Sequence, residues 1–199
     1  MMKHITTLSK RFRGLLPVVV DVETAGLLAQ TDALLEVAAV TIEMTADGLL
    51  KPVQTFCYHI EPFNGARVDP QALEITKIDP KHPFRLAIPE AQAIHRIFSM
   101  VRTELEKTMC YRAVLVGHNA WFDLSFILAA AKRSQINPIP FHQFTTIDTA
   151  SLGAVAYGET VLARAARRAR ISFDVEKAHS AAYDAERTAE LFCQVVNRF

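Results

Sequence analysis

The run Val18-Val19-Val20-Asp21-Val22-Glu23-Thr24-Ala25-Gly26 puts two carboxylates two residues apart at the end of an apolar, β-branched stretch. Side chains at i and i+2 of a strand point to one face, so Asp21 and Glu23 project together. Carboxylates held side by side repel, and one stays protonated unless a cation joins them. Hard oxygen ligands of this kind select Mg²⁺ or Mn²⁺ over Zn²⁺. The pair alone leaves a second reading open, a strand that ends in water. Two more acids are spaced to join it. Asp123, in Gly117-His118-Asn119-Ala120-Trp121-Phe122-Asp123, falls in the first turn of a helix that follows a buried strand. An anion there also serves simply to complement the helix N-terminus. Asp184 lies five residues after His179, one turn into a helix that begins near Ser180. A turn advances about 5.4 Å, which lets an imidazole and a carboxylate share one small site. His179 as a plain flanking residue is the alternative.

The elements that must carry these groups follow from pattern. Leu15–Val22 reads as a first strand, with Pro17 near its start where strands tolerate proline. After a Thr24–Thr31 loop, Leu34–Met44 alternates, and Asp47-Gly48 turns the chain into a third strand over Val53–Ile60. Glu36 falls on the apolar face, either in support of a metal site or at an exposed strand end. The proline-punctuated segment from Pro62 to Pro89 contains a short helix over Gln71–Ile75. Helical spacing of Ala93, Ile94, Ile97, Phe98, Val101 and Leu105 predicts an amphipathic helix over Pro89–Lys107. A buried strand at Ala113–Val116, a helix over 119–134, a strand at Phe144–Ile147 and a helix opening at Asp148-Thr149 follow. Helices over Thr160–Arg170 and Ala181–Phe199 complete the chain. This order predicts an α/β fold in one domain, a mixed sheet in which an antiparallel meander is joined by parallel strands and flanked by helices.

The totals narrow the setting. A chain of 199 residues, half of them hydrophobic, has the length and composition to bury a full core. The formal net charge of +1 is a sum: with acids gathered at one site, the remaining surface is basic and suits a polyanion. Cys57, Cys110 and Cys193 are odd in number and lack metal spacing, which points to a reducing compartment. Met1–Ser9 has no apolar core of signal-peptide length, and Ala120–Ala131 is too short to span a membrane. The expectation is a cytoplasmic protein with no membrane partner. Lys10-Arg11-Phe12-Arg13-Gly14 forms a basic N-terminal arm within residues 1–14, read either as a nucleic-acid contact or as a solvated segment.

Asp-x-Glu-Thr-x-Gly at Asp21–Gly26, His-Asn-x-x-Phe-Asp at His118–Asp123 and His-x-x-x-x-Asp at His179–Asp184 together resemble the DEDDh 3′→5′ exonuclease superfamily, which has a ribonuclease H-like fold. Phe12-Arg13-Gly14, Thr31–Glu36, Glu61-Pro62-Phe63, Ala178–Ala181 and Glu186–Ala189 are similar, more closely, to the ribonuclease T family of bacterial exoribonucleases. The resemblance implies that Asp21, Glu23, Asp123 and Asp184 hold two Mg²⁺ ions, with Mn²⁺ as substitute, and that Asp21 bridges them. It makes His179 the general base for the attacking water. It implies trimming of single-stranded 3′ ends of tRNA and other stable RNAs, with release of nucleoside 5′-monophosphates, by a homodimer in which a basic patch of one subunit faces the site of the other. Single-stranded DNA is a further substrate of such enzymes.

Grip on the strand end is implied at Thr24, Leu27, Ile75, Phe122 and Phe144, with Arg13 and Arg112 on the phosphate backbone. Lys10, Arg11, Lys132 and Arg133 are further candidates for that role. Leu27 and Ile75 stand where the family has phenylalanine, so a base is sandwiched there without π stacking. Core packing is the competing role for both phenylalanines. The arginines at 164, 167, 168 and 170 suit a solvated helix face equally well. A DNA-directed proofreading or repair exonuclease of the same superfamily shares every catalytic residue and is the main rival; a non-catalytic nucleic-acid-binding protein and a hydrolase of mononucleotides or short oligonucleotides are the others.

Overall fold

The computed structural model describes residues 7–199, so the first six residues of the basic arm, and most of the Met1–Ser9 segment, lie outside the described residues. In chain order the elements are α1 (Leu8–Arg11), β1 (Leu15–Thr24), β2 (Leu34–Met44), β3 (Leu50–Glu61), α2 (Pro70–Thr76), β4 (Ile88–Pro89), α3 (Glu90–Thr108), β5 (Arg112–Gly117), α4 (Ala120–Arg133), β6 (Phe141–Asp148), α5 (Thr149–Tyr157), α6 (Leu162–Arg168) and α7 (Ala181–Val196). One six-stranded sheet runs β4-β3-β2-β1-β5-β6. β1, β2 and β3 pair antiparallel, whereas β1 with β5, β5 with β6 and β3 with β4 pair parallel. The expected meander and parallel half are both present.

β1 lies in the interior of the sheet, which accounts for its unbroken Val18-Val19-Val20 run: both faces are covered, so no polar alternation is needed. α7 packs across β1, β2 and β3, while α4 packs on β1, β5 and β6. Phe98, Phe126, Phe141 and Phe192 fill the core with essentially no exposed surface. Among the described residues no helix is long and apolar enough to cross a membrane.

Several boundaries differ from the pattern reading. β3 starts at Leu50, and Pro52 sits inside it at the register shift between Val40 and Ile42 on β2, a bulge position where a strand accepts proline. β6 extends from Phe141 to Asp148, and a register shift between Ala113 and Leu115 lets residues 142–145 bulge outward. α6 is confined to Leu162–Arg168, and α2 gains a turn start from the Asp69 side chain, which accepts the Gln71 amide at 3.0 Å. The short α1 and β4 lack the length to leave a periodic signal.

Two cations named as candidates for a phosphate backbone, Arg11 and Arg133, are engaged within the fold. Arg11 donates to the carbonyls of Gly48 (2.8 Å) and Val196 (2.7 Å), clamping α1 to the β2–β3 turn and to the end of α7. Arg133 donates through Nε and Nη2 to Glu90 at 3.0 and 2.8 Å, and through Nη1 to the carbonyl of Ala29. Its guanidinium also lies 4.1 Å over the Phe63 ring. A charged donor lost from carbonyls without replacement costs about 2 kcal/mol. Arg11→Ala is therefore expected to lower unfolding stability by about that much in urea denaturation, while affinity for a generic polyanion such as heparin stays within about twofold of the parent. A large loss of polyanion affinity at unaltered stability would return Arg11 to a binding surface.

Candidate active site

Asp21 and Glu23 occupy the last turns of the β1 pleat, with Asp21 opposite Ala38 and Glu23 opposite Glu36 on β2. β5 runs parallel beside β1 and ends at Gly117, from which the chain turns into α4. That turn is tight for physical reasons. Asn119 adopts a left-handed conformation at φ 66°, which asparagine tolerates better than most residues, and a Cβ on Gly117 would stand 3.0 Å from Asp123 Oδ2. Asp123 is thereby brought against β1, where its Oδ1 accepts the Val22 amide at 3.0 Å. Asp148 fixes the same turn from below: its carboxylate accepts the amides of Ala120 (3.1 Å) and Ala150 (2.7 Å) and so closes the N-termini of both α4 and α5.

The fourth acid arrives on α7. Ser180 gives this helix no side-chain cap. A glutamate from the neighbouring sheet does the work instead: Glu36 Oε2 accepts the Ala181 amide at 3.4 Å, and Oε1 pairs with His59 Nδ1 at 2.8 Å. Further along, Thr55 Oγ1 donates to Glu186 Oε1 at 2.9 Å. Thr55 and His59 lie on one face of β3, so the sheet sets the height and rotation of α7. Asp184 then sits one turn in, its Oδ2 accepting the His179 amide at 2.9 Å, with His179 in a left-handed conformation at φ 66° just ahead of the helix. Glu36 is buried and paired, which decides between its two readings in favour of support for the site.

These pieces meet. One ligand atom each from Glu23, His179 and Asp184 lie within 4.8 Å of one another, and Asp21 and Asp123 line the same cavity. Burial raises all four carboxyl groups above their ordinary values. For Asp21 the neighbouring Asp123, Glu23 and Asp184 add to the effect. Glu23 is pushed up to about 8, first by burial and then by Asp184, Glu36 and Asp123. Asp123 is raised mainly by burial, against the opposing Val22 amide. Asp184 is raised by burial and pulled back by the amide and imidazole of His179 and by His118. Asp184 Oδ1 is buried with no protein partner. Mutually repelling hard oxygens around an unsatisfied acceptor fit a divalent cation, and Asp21, Glu23, Asp123 and Asp184 are the residues able to hold it.

The cavity that holds the four carboxylates measures about 600 Å³ and is bounded also by His118, Asn119, Trp121, Phe122 and Leu27. It opens into a second cleft of about 510 Å³ that shares Val22, Glu23, Leu27 and Phe122 and adds Thr24, Arg67, Gln71 and Ile75. Of the expected site residues, the four acids and His179 meet in the first cavity, Leu27 and Phe122 line both, and Thr24 and Ile75 line the second. Thr24 is buried and its hydroxyl donates to the Gly26 carbonyl at 2.6 Å, which folds the loop that presents Leu27. A side chain on Gly26 would overlap the Asp32 carboxylate that accepts the Leu28 amide, so this turn needs glycine. Phe144 lines neither cavity: it stands on the β6 bulge, 92% exposed. Arg13 and Arg112 are exposed at the opposite end of β1. Arg112 pairs with Leu15, six residues from Asp21, a separation of about 20 Å at strand rise. Arg67, Gln71 and Trp121 escaped the sequence reading, and His118 was read only as part of a motif without a role, because a long loop and a helix start carry no periodicity to mark which residues face a cavity.

The raised carboxyls have a consequence for stability. A group whose folded pKa exceeds its unfolded value stabilises the fold at low pH and loses that contribution as pH climbs through the folded value. For Glu23 the window runs from the ordinary 4.5 to about 8. Metal-free protein is expected to lose thermal stability between pH 5 and pH 9, and added Mg²⁺ to raise the melting temperature more at pH 8.5 than at pH 5.5 (scanning calorimetry at matched ionic strength). A rise in metal-free stability across that range would contradict the cluster.

The exonuclease family model (RNase_T) matches residues 18–192. Ribonuclease T of Hahella chejuensis is 56% identical over 96% of this chain and 88% of its own length, that of Photorhabdus laumondii 55% over 99% and 91%, and that of Cronobacter sakazakii 54% over 98% and 88%. Among solved structures, E. coli Exonuclease I in complex with a dT13 oligonucleotide superposes with a TM-score of 0.71 at 19% identity, covering 92% of this chain and 41% of its own. A full-length 3′-exonuclease gives 0.71 at 14% identity, covering 90% and 60%. The chain thus spans about two-fifths of the first and three-fifths of the second, and both share its fold. With identity above half along almost its whole length, and a family match running from β1 into α7, the chain belongs to the ribonuclease T family of exonucleases.

Proposed function

We propose that this 3′→5′ exoribonuclease trims the single-stranded 3′ ends of tRNA and other stable RNAs by metal-dependent phosphodiester hydrolysis, one nucleoside 5′-monophosphate at a time. The observation that carries the reading is the meeting of Asp21, Glu23, Asp123, Asp184 and His179 in a cavity continuous with an apolar cleft. When bound, two divalent cations (Mg²⁺ or Mn²⁺) would supply charge neutralisation at the phosphoryl oxygens and activation of the attacking water. Asp21, Glu23, Asp123 and Asp184 are the residues that would hold them. His179 sits at the exposed rim on a backbone tied to Asp184, and takes the proton from the attacking water. Leu27, Ile75 and Phe122 hold the terminal base, and Thr24 keeps the Leu27 loop closed.

The cavity is acidic and the chain must still hold a polyanion. Arg13 and Arg112 lie about 20 Å away along β1, too far to touch the phosphate being cut in their own subunit. This separation supports a homodimer in which they contact RNA entering the partner subunit's site. A soluble, cytoplasmic location is in keeping with such a substrate.

The test is a time course with Mg²⁺ on an end-labelled RNA hairpin bearing a short 3′ overhang, run beside the matching DNA and a 3′-phosphorylated RNA. Stepwise shortening from a free 3′ hydroxyl that stalls near the stem is expected. Removing one acid–base partner costs about 10²- to 10⁴-fold, so His179→Ala is expected to lose kcat by that order while RNA binding survives. Faster digestion of DNA would move the assignment to proofreading or repair; near-normal kcat in His179→Ala would remove it from the base role.

A further inference from the structure

One large aromatic on the wall of the catalytic cavity has no part in the scheme above. Trp121 lines that cavity together with His179, Asp184 and Asn119, yet it is 66% exposed and contributes little to the core. Its position is nonetheless defined. It is the second residue of α4, whose first amide, that of Ala120, is tied to Asp148. Its indole meets the Phe122 ring edge to face, with centroids 5.9 Å apart and planes at 86°. Phe122 is in turn anchored on buried Phe126 at 5.0 Å. The indole is thus a flat face held over a cavity by a fixed backbone and a packed neighbour, so little conformational freedom is lost when a ligand lies on it.

The chemistry of the surrounding walls says what that ligand is. Leu27 and Ile75, 80% and 59% exposed, offer aliphatic surface only. Apart from imidazoles, the π faces among the residues lining the two cavities are those of Phe122 and Trp121. Phe122 borders both cavities, whereas Trp121 borders the one that holds the carboxylates and not the cleft that holds Ile75. We infer that Trp121 is a stacking platform for a nucleobase, that of the penultimate nucleotide, which remains on the strand when the terminal one is cut. The inference rests on the exonuclease reading and deepens it. Trp121 would set affinity for unpaired ends whatever their sequence, because every base has a π face, and would disfavour a base still paired in a duplex.

The experiment compares wild type, Trp121→Ala and Trp121→Phe on single-stranded RNA and on the same RNA with an abasic penultimate nucleotide. On the intact strand Trp121→Ala is expected to raise KM about tenfold, with kcat falling far less, and Trp121→Phe to recover most of the loss. On the abasic strand the three proteins are expected to converge. Trp121 is the sole tryptophan, so quenching of protein emission by the intact strand, and not by the abasic one, reads the same contact without turnover. Equal losses on both strands, a fall in kcat at constant KM, or no effect would overturn the proposal. So would dissociation of Trp121→Ala into monomers that accounts for the loss, which would assign the indole to a subunit interface. The wild-type rate on the intact strand tests the exonuclease reading by itself; if wild type shortens neither strand, that reading falls and the proposal with it.

Discussion

Four carboxylates that would separate in water are forced together at one end of β1, and much of the fold can be understood as what forces them. Each is raised above its ordinary pKa, with burial the leading cause and mutual repulsion adding for Asp21 and Glu23. Backbone geometry does the forcing: strand pleat for Asp21 and Glu23, an amide of β1 for Asp123, and the docking of a whole helix for Asp184. Stability is thereby spent on a site with a strong appetite for positive charge, which is the condition a cation-dependent hydrolase requires.

The docking of α7 is the least obvious of these devices. A helix normally closes its own N-terminus with a side chain from the residue before it. Here Ser180 is idle and Glu36, opposite Glu23 on the neighbouring strand, accepts the Ala181 amide while held by His59. One buried acid therefore couples β1, β2, β3 and α7. Its negative charge also faces Glu23, so it adds to the repulsion that the site must answer.

How much of this was legible in the sequence depends on whether local pattern or tertiary contact decides it. That Asp21 and Glu23 share a face was readable from strand period, and that His179 stands about one helical turn from Asp184 was readable from spacing; each pattern left a plainer alternative open, and only the motif resemblance joined them into one site. The mixed sheet followed from meander strands ahead of crossover helices. Glu36 could be seen as anomalous on an apolar face but not assigned, since its partners are 23 and 145 residues away. Arg11 and Arg133 looked like free cations, and only the fold reveals the carbonyls and the glutamate that occupy them. Trp121 gave no signal, because a helix start does not say which of two adjacent aromatics is buried. The near-neutral net charge was readable as a sum of gathered acids and a basic remainder; only the fold puts the acids at one end of β1 and exposed arginines at the other.

Whether the four carboxylates hold divalent cations can be read by anomalous scattering from crystals soaked in Mn²⁺. Strong peaks are expected among the oxygens of Asp21, Glu23, Asp123 and Asp184, lost in Asp21→Asn. Full soaking with no peak at these four side chains, or peaks only at surface histidines, would contradict cation binding at this site.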